Sequence, residues 1–265
     1  MQRTILLICA VAAGLLCLVL TLALYRFYTR ATLLSKPPAH GASFVIEADL
    51  SQAGVETNSL VRLRDSIQRR ASKFGVRIFW EPISDSRVRV LAAINNPQDK
   101  DTVSRALFSG GLLEFRLVHE ENDKIVQQGE VPAGYQLLKR EETTPGGSKR
   151  TEPIVVKDSP EQGLGRDLIK SAMVVRDNLG QPQIVFVLQP AAASAFGVVT
   201  RQNVGRRLAI LMDGKLYSAP VIRSPIESGR GQISGHFELR EALALTTALD
   251  SPLPFRVTIV ESKEF

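Results

Sequence analysis

Three histidines are the residues of this sequence best suited to acid–base chemistry near neutral pH. One of them, His236, follows Ser234 by two positions, and together with Asp213 they have the composition of a Ser–His–Asp triad for hydrolysis. No oxyanion-hole loop accompanies them, and a lone histidine after a glycine is usually a turn or surface residue. His40 and His119 are isolated, and both cysteines lie within the first 17 residues, so no zinc site is expected. The sequence therefore predicts a non-enzyme with no catalytic residue, metal or cofactor.

The Gly-Arg-Gly run at residues 229–231 has the composition of a backbone nest for a phosphate group. A phosphate-binding loop, however, follows a strand and opens a helix, so that aligned N–H groups point at the anion. Here Gln-Ile-Ser-Gly follows the run. This pattern favours a loop between two extended segments over a phosphate site.

Two prolines, Pro220 and Pro225, interrupt a strand-like segment between residues 218 and 235. Proline donates no ladder hydrogen bond and is confined to sheet edges, bulges and strand ends. We therefore expect an edge region beside a glycine-hinged loop, able to accept an added strand from another polypeptide. The candidate contact residues are Ser218, Pro220, Ile222, Pro225 and Arg230. The residues expected to shape the turns are Gly205, Asp213, Gly214, Gly229, Gly231 and Gly235.

Apolar periodicity up to residue 118 predicts the elements that would support this edge. Their order is β-α-β-β-α-β, which is that of a ferredoxin-like base, an antiparallel sheet with helices on one face. The fold class is therefore α+β. The expected elements are a strand at 44–49, a helix at 60–74, a hairpin of strands 76–81 and 87–93, a helix from Asn96 to Gly110 and a strand at 112–118.

Residues 119–236 are expected to form an inserted second lobe of mixed α/β structure on the base at 44–118, and residues 237–265 to return to that base. Within the lobe, 141–153 is interpreted as a flexible surface loop, and Asp213-Gly214 as a hairpin turn between two apolar strands. Two crossing connections permit hinge motion, with His119, Gly235 and His236 as the candidate hinge residues. The other expected elements are strands 170–177, 183–188, 208–212, 215–218 and 254–260 and helices 189–203 and 239–249.

The N-terminal residues 5–24 are uncharged and apolar, and about 20 residues suffice to cross a bilayer as a helix. Residues 1–30 are therefore predicted to be a single transmembrane anchor, followed by a linker at 31–43. Of the net charge of +6, most lies in residues 1–36, because the rest of the chain carries 29 bases and 27 acids. No nucleic-acid partner is expected. Counting of positive charges beside the anchor slightly favours a cytoplasmic domain.

The second lobe resembles the periplasmic head of the SecD subunit of the bacterial protein-export machinery. The resemblance extends to the base through Leu-Glu-Phe-Arg at 113–116, so it covers nearly everything after the linker. The matching residues are Phe196, Thr200, Asn203, Gly205, LAILMDG at 208–214, SAPVI at 218–222, Ile226, GRGQISG at 229–235, Phe237, Glu241-Ala242 and Leu253-Pro254.

This resemblance implies a membrane-anchored accessory of Sec-dependent translocation in the bacterial inner membrane, with its C-terminal domain in the periplasm. The implied partners are the SecYEG channel, SecF or SecD-like subunits, and unfolded preprotein held at the head. The family continues into further helices that use the proton gradient. Because residues 5–24 contain no Asp, Glu, His, Lys or Arg to carry or gate a proton and the sequence ends at Phe265, this chain is not expected to conduct protons by itself.

Other interpretations of the same residues stay open. A degenerate SecD-like paralogue would serve as a protein-binding or regulatory module of the cell envelope, and its partners would lack Sec components. An envelope hydrolase would depend on Ser234 and His236. A folded but idle fragment is the third alternative, since fold does not fix function.

Overall fold

The structure of the chain is a computed structural model that describes residues 37–51, 59–143, 149–165, 168–233 and 237–265. The predicted anchor at 1–30 and the first part of the predicted linker, residues 31–36, lie outside these ranges. Among the residues that the structure does describe, no helix combines the length and the apolar character needed to cross a membrane.

The first unit is a four-stranded antiparallel sheet with the strand order β12-β1-β3-β2. Side chains of the first strand point alternately to the two faces of the sheet, and Phe44 and Ile46 lie in the core of this unit. Leu63 and Ile67 of the first helix are fully buried in the same core. The ring of Phe44 meets that of Phe108 edge-on at 5.2 Å, which joins the sheet to the second helix. The elements are β1 (Ala42–Ala48), α1 (Ser59–Phe74), β2 (Ile78–Pro82), β3 (Arg87–Ala92), a 3-10 turn (Pro97–Asp99), α2 (Lys100–Phe108) and β12 (Val257–Glu264).

The prediction that residues 112–118 complete this first sheet is wrong. That segment, β4 (Leu113–Leu117), pairs antiparallel with β9 (Leu208–Met212), and β12 lies beside β1 instead. The physical reason is burial: every residue of β4 is buried, with Glu114 and Arg116 neutralising each other at 2.5 Å, so this strand requires cover on both faces. β12 is exposed along most of its length, as suits the edge of a sheet.

The second unit consists of two three-stranded sheets, ordered β10-β9-β4 and β11-β8-β7, and a hairpin of β5 and β6. Its main core joins the two sheets to two helices and includes Phe115, Phe186 and Phe196. The remaining elements are α3 (Asn122–Gln128), β5 (Tyr135–Thr143), β6 (Lys149–Lys157), β7 (Ile169–Arg176), β8 (Pro182–Leu188), α4 (Pro190–Gln202), β10 (Lys215–Ser218), β11 (Arg230–Ile233) and α5 (Leu239–Asp250).

The interpretation of residues 141–153 as a surface loop is wrong at both ends of that segment. β5 and β6 form a hairpin in continuous register from Tyr135 opposite Lys157 to Thr143 opposite Lys149, and residues 144–148 lie outside the described part of the chain. Ile154 and Val156 are fully buried against β9, which explains why the hairpin is ordered despite its polar composition.

Other predictions for this unit are confirmed. β7 and β8 form an antiparallel pair, and α4 begins with Pro190 at its first position. β9 and β10 flank the turn at Asp213 and Gly214, whose φ values of 50° and 78° are those of a type I′ hairpin.

The returning segment 237–265 divides between the two units. β12 pairs with β1, whereas Ala242, Leu245 and Leu249 of α5 pack in the main core of the second unit. The other side of α5 contacts α2 and α1. α5 therefore connects the two units.

The junction between the units is organised by Arg70 of α1, which is fully buried. Its guanidinium donates all five of its N–H groups to backbone carbonyls at 2.5 to 3.4 Å. Burial lowers the pKa of Arg70 to about 10, an effect that the charge of Asp213 partly offsets, so the group is charged at neutral pH. The acceptors, at the C-terminal ends of α2 and α5, belong to Leu107, Ser109, Gly110, Ala248 and Ser251.

Candidate functional site

A cleft of about 760 Å³ opens in the second unit between residues 218–224 and β11. Both of its walls are the outer edges of sheets, and the connecting loop at 223–229 closes one end. Side chains from β4, β8, β9 and α4 line the cleft beneath the two walls.

The first wall continues from β10 along the start of β9. Leu208 donates its backbone N–H to Pro220 O at 2.9 Å, and Ile222 donates to Arg206 O at 2.9 Å. Because backbone groups alternate in direction along an antiparallel ladder, those of Val221 point away from β9. Pro220 has no N–H to add to this ladder, in keeping with its place at an edge.

The second wall is β11, the terminal strand of its sheet. It pairs with β8 through Gly231 opposite Phe186, and the same alternation directs the backbone groups of Arg230 away from β8. A Cβ atom at Gly231 would lie 2.3 Å from the Phe186 ring, so only glycine lets this ring cover the strand. A Cβ at Gly229 would lie 2.4 Å from the Cβ of Ala193 in α4.

The loop between the two walls is fixed to α4. Thr200 Oγ1 accepts the backbone N–H of Ile226 at 2.9 Å and donates to Phe196 O at 2.7 Å. Arg201 forms an ion pair with Glu227 at the surface. These contacts fix the loop that closes one end of the cleft.

The floor of the cleft is aromatic. The Phe115 ring lies 5.8 Å from Phe186 and 4.9 Å from Phe196, centroid to centroid. Ser218 also lines the cleft, and its buried hydroxyl has no hydrogen-bond partner within the described ranges. An unmade buried hydrogen bond costs about 1–3 kcal/mol. A polar ligand group reaching this hydroxyl would remove that cost.

The charged groups of the cleft are predominantly cationic. Arg140 and Arg207 both pair with Glu152, at 2.8 and 2.9 Å, which ties the β5–β6 hairpin to the first wall. Burial raises the pKa of Glu152, but hydrogen bonds and charges from Arg207 and Arg140 outweigh it and hold the pKa below its usual value. Arg223 and Arg230 are the other two charged residues that line the cleft.

Four of the five residues predicted to contact another polypeptide line the cleft, namely Ser218, Pro220, Ile222 and Arg230. Pro225 is exposed on the loop and is not part of the lining. Ile222 is only 5% exposed, so its side chain belongs to the core and only its backbone is at the edge. Their role in binding stays a prediction.

The other predicted residues have structural surroundings. The Asp213 carboxylate accepts the N–H groups of Gly111 and Leu112 at 3.2 and 3.0 Å, an arrangement that orients it toward the chain leaving α2. Gly205 has a φ of 89°, as a tight turn requires. His119 packs edge-on against Tyr135 at 4.6 Å. The remaining hinge and triad residues, Ser234, Gly235 and His236, lie outside the described residues.

Sequence reasoning missed the charged lining of the cleft. Glu152 lies within residues 141–153, which were interpreted as a surface loop, and Arg140 directly precedes them, so neither residue was expected to line a site. Arg207, directly before the apolar run of β9, was the available signal for a charged group at this place.

Comparison with solved structures places this fold among the α+β domains of SecDF proteins. The chain superposes on SecDF in its super-membrane-facing form with a TM-score of 0.60 at 26% identity, covering 86% of this chain and 31% of that one. It also superposes on a membrane component SecDF that enhances protein export, with a TM-score of 0.57 at 26% identity, covering 83% of this chain and 98% of that one.

The sequence comparisons are more specific. Residues 137–254 match the model of the SecDF P1 head subdomain. The protein translocase subunit SecD of Treponema pallidum is 32% identical over 80% of this chain and 41% of its own length. That of Aquifex aeolicus is 39% identical over 71% of this chain and 37% of its own length. The chain belongs to the SecD/SecDF family and spans about two fifths of the length of these relatives.

Proposed function

We propose that this chain acts in Sec-dependent protein translocation as a membrane-anchored export factor whose cleft holds an extended segment of a translocating preprotein. The anchor is the N-terminal apolar run, the described domain faces the periplasm, and SecYEG with SecF or SecD-like subunits are the partners. The strand order β12-β1-β3-β2 supports assigning the first unit as the ferredoxin-like base that carries this head.

The observation that carries the proposal is the pair of sheet edges facing one cleft above an aromatic floor. An extended chain entering it would meet the outward N–H and C=O of Val221, the outward C=O of Arg230, whose N–H donates to Ser228 Oγ at 3.4 Å, and the hydroxyl of Ser218, which has no partner among the described residues. Backbone pairing does not depend on side-chain identity, which suits a factor that must accept many different secreted proteins.

Weak binding is expected from this mode of contact. A net hydrogen bond contributes about 1 kcal/mol, so four or five of them give a dissociation constant near millimolar. An affinity of this order lets the held segment leave again as the chain advances.

Site-specific photo-crosslinking to an arrested preprotein in cells tests this function. A photoreactive residue at Val221 or Arg230, both exposed at the walls, is expected to trap the preprotein. The same residue at Leu179, which is 85% exposed on the β7–β8 turn, serves as the matched control. Equal crosslinking at all three positions, or none with a working control substrate, would refute the proposal. Co-purification of partners without Sec components would favour the envelope-module alternative.

A further inference from the structure

The net positive charge of the cleft lining is high compared with the net charge of the chain after residue 36. Its lining contains four arginines and one glutamate, a net charge of +3. All residues after 36 together carry 29 bases and 27 acids. The chain after residue 36 is thus close to neutral, and the cleft lining alone is more cationic than that whole segment.

The four arginines fall into two groups. Arg140 and Arg207 are engaged with Glu152, and Arg207 also donates to Ala219 O at 3.0 Å, so both serve to fix the first wall. Arg223 and Arg230 are exposed and form no ion pair with any described residue. One stands at each end of the connecting loop, and therefore one on each wall.

An extended chain presents its side chains alternately to opposite sides. In this cleft one set would face the floor of Phe115, Phe186 and Phe196, and the other set would face the rim, where the exposed Arg223 and Arg230 lie. Carboxylates at the rim would be attracted, and lysine or arginine there would be repelled.

We propose that the cleft is charge-selective: it prefers extended segments in which apolar residues alternate with acidic ones, and it disfavours segments in which they alternate with basic ones. This selectivity rests on the proposed function, since it concerns the same cleft and the same kind of ligand. Arg223 and Arg230 are its specificity-determining residues.

The test uses the full chain in a neutral detergent and three fluorescent peptides. The peptides share their apolar positions and carry serine, glutamate or lysine at the alternating positions, and binding is followed by fluorescence anisotropy. Exposed charge pairs contribute about threefold each in affinity, so the glutamate peptide is expected to bind about tenfold more tightly than the serine peptide at about 50 mM salt, and the lysine peptide more weakly. Raising the salt to about 500 mM is expected to remove most of the difference.

Two double variants assign the effect to the rim. In Arg223→Gln/Arg230→Gln the glutamate and lysine peptides are expected to bind within about threefold of each other, and Arg223→Lys/Arg230→Lys is expected to keep most of the preference. Arg64→Gln/Arg69→Gln removes the same charge from the exposed face of α1 and is expected to retain the full preference.

The outcomes separate this inference from the function on which it rests. If the serine peptide and the other two all fail to bind, the peptide-holding function itself is refuted. If all three bind with equal affinity, the function stands and the charge selectivity is refuted. Loss of the preference in the α1 control would also overturn the inference, because the effect would then come from overall charge.

Discussion

The replacement of Arg70 by methionine is the sharpest test of how the two units are joined. Methionine keeps most of the side chain's length but donates nothing, so five carbonyl groups at the ends of α2 and α5 lose their donor. A hydrogen bond to a charged group contributes about 1.5–3 kcal/mol, which gives a gross loss of about 7 kcal/mol or more. Relief from burying the charge offsets part of it, and removal of one partner of a buried polar network typically costs about 3–5 kcal/mol.

We therefore expect Arg70→Met to lower the free energy of unfolding by about 3–5 kcal/mol. Urea unfolding followed by the fluorescence of Trp80, the single tryptophan, measures this directly. Arg69→Met is the matched control, since Arg69 is exposed and, among the described residues, its side chain donates only to Ser66 Oγ, and it is expected to cost less than about 0.5 kcal/mol. A difference between the two variants below about 1 kcal/mol would refute the role given to Arg70.

Two further predictions concern the second unit. Gly231→Ala is expected to destabilise the protein by about 1–3 kcal/mol because its Cβ would overlap the Phe186 ring. Gly165→Ala is the control and should have little effect, because the nearest atom to its added Cβ lies at 3.5 Å. Equal urea unfolding midpoints for the two variants would contradict this prediction. Burial raises the pKa of Tyr217 to about 12, so the neutral phenol is favoured in the folded state, and the stability it contributes is complete below about pH 10 and is lost as the pH rises toward 12. Between about pH 10 and pH 12 the free energy of unfolding should therefore fall less for Tyr217→Phe than for the unmodified protein. Urea unfolding of both proteins at the two pH values measures this, and an equal fall in both would count against the burial of this phenol.

Helices and hairpins whose ends are marked by capping or turn residues were predictable from the sequence. Asn96 and Pro97 mark the start of a helical segment, and in the structure the Asn96 side chain accepts the N–H of Gln98 at 3.1 Å. Asp213-Gly214 marks the hairpin between β9 and β10, with both residues in the left-handed region. In such cases the neighbouring residues alone determine the backbone conformation.

Elements that depend on distant partners were not predictable in the same way. Nothing within 112–118 indicates whether this strand pairs with β1 or with β9, since that choice depends on what covers its second face. The polar distal half of the β5–β6 hairpin has no apolar alternation, and its order depends on Ile154 and Val156 packing on β9. The edge at 218–222 was expected, but the facing edge of β11 results from α4 holding the loop between them.

Gly41 and Phe265 exchange a pair of backbone hydrogen bonds, at 2.9 and 3.0 Å, where β1 and β12 run side by side. Mechanically, tension reaching the domain through these two positions acts at a single corner of the first unit. A load applied at the cleft acts in the second unit and so exerts a torque about that corner, and the contacts of α5 with α1 and α2, together with Arg70, lie between the two. The hydrogen bonds of this one buried guanidinium therefore resist rotation of one unit against the other.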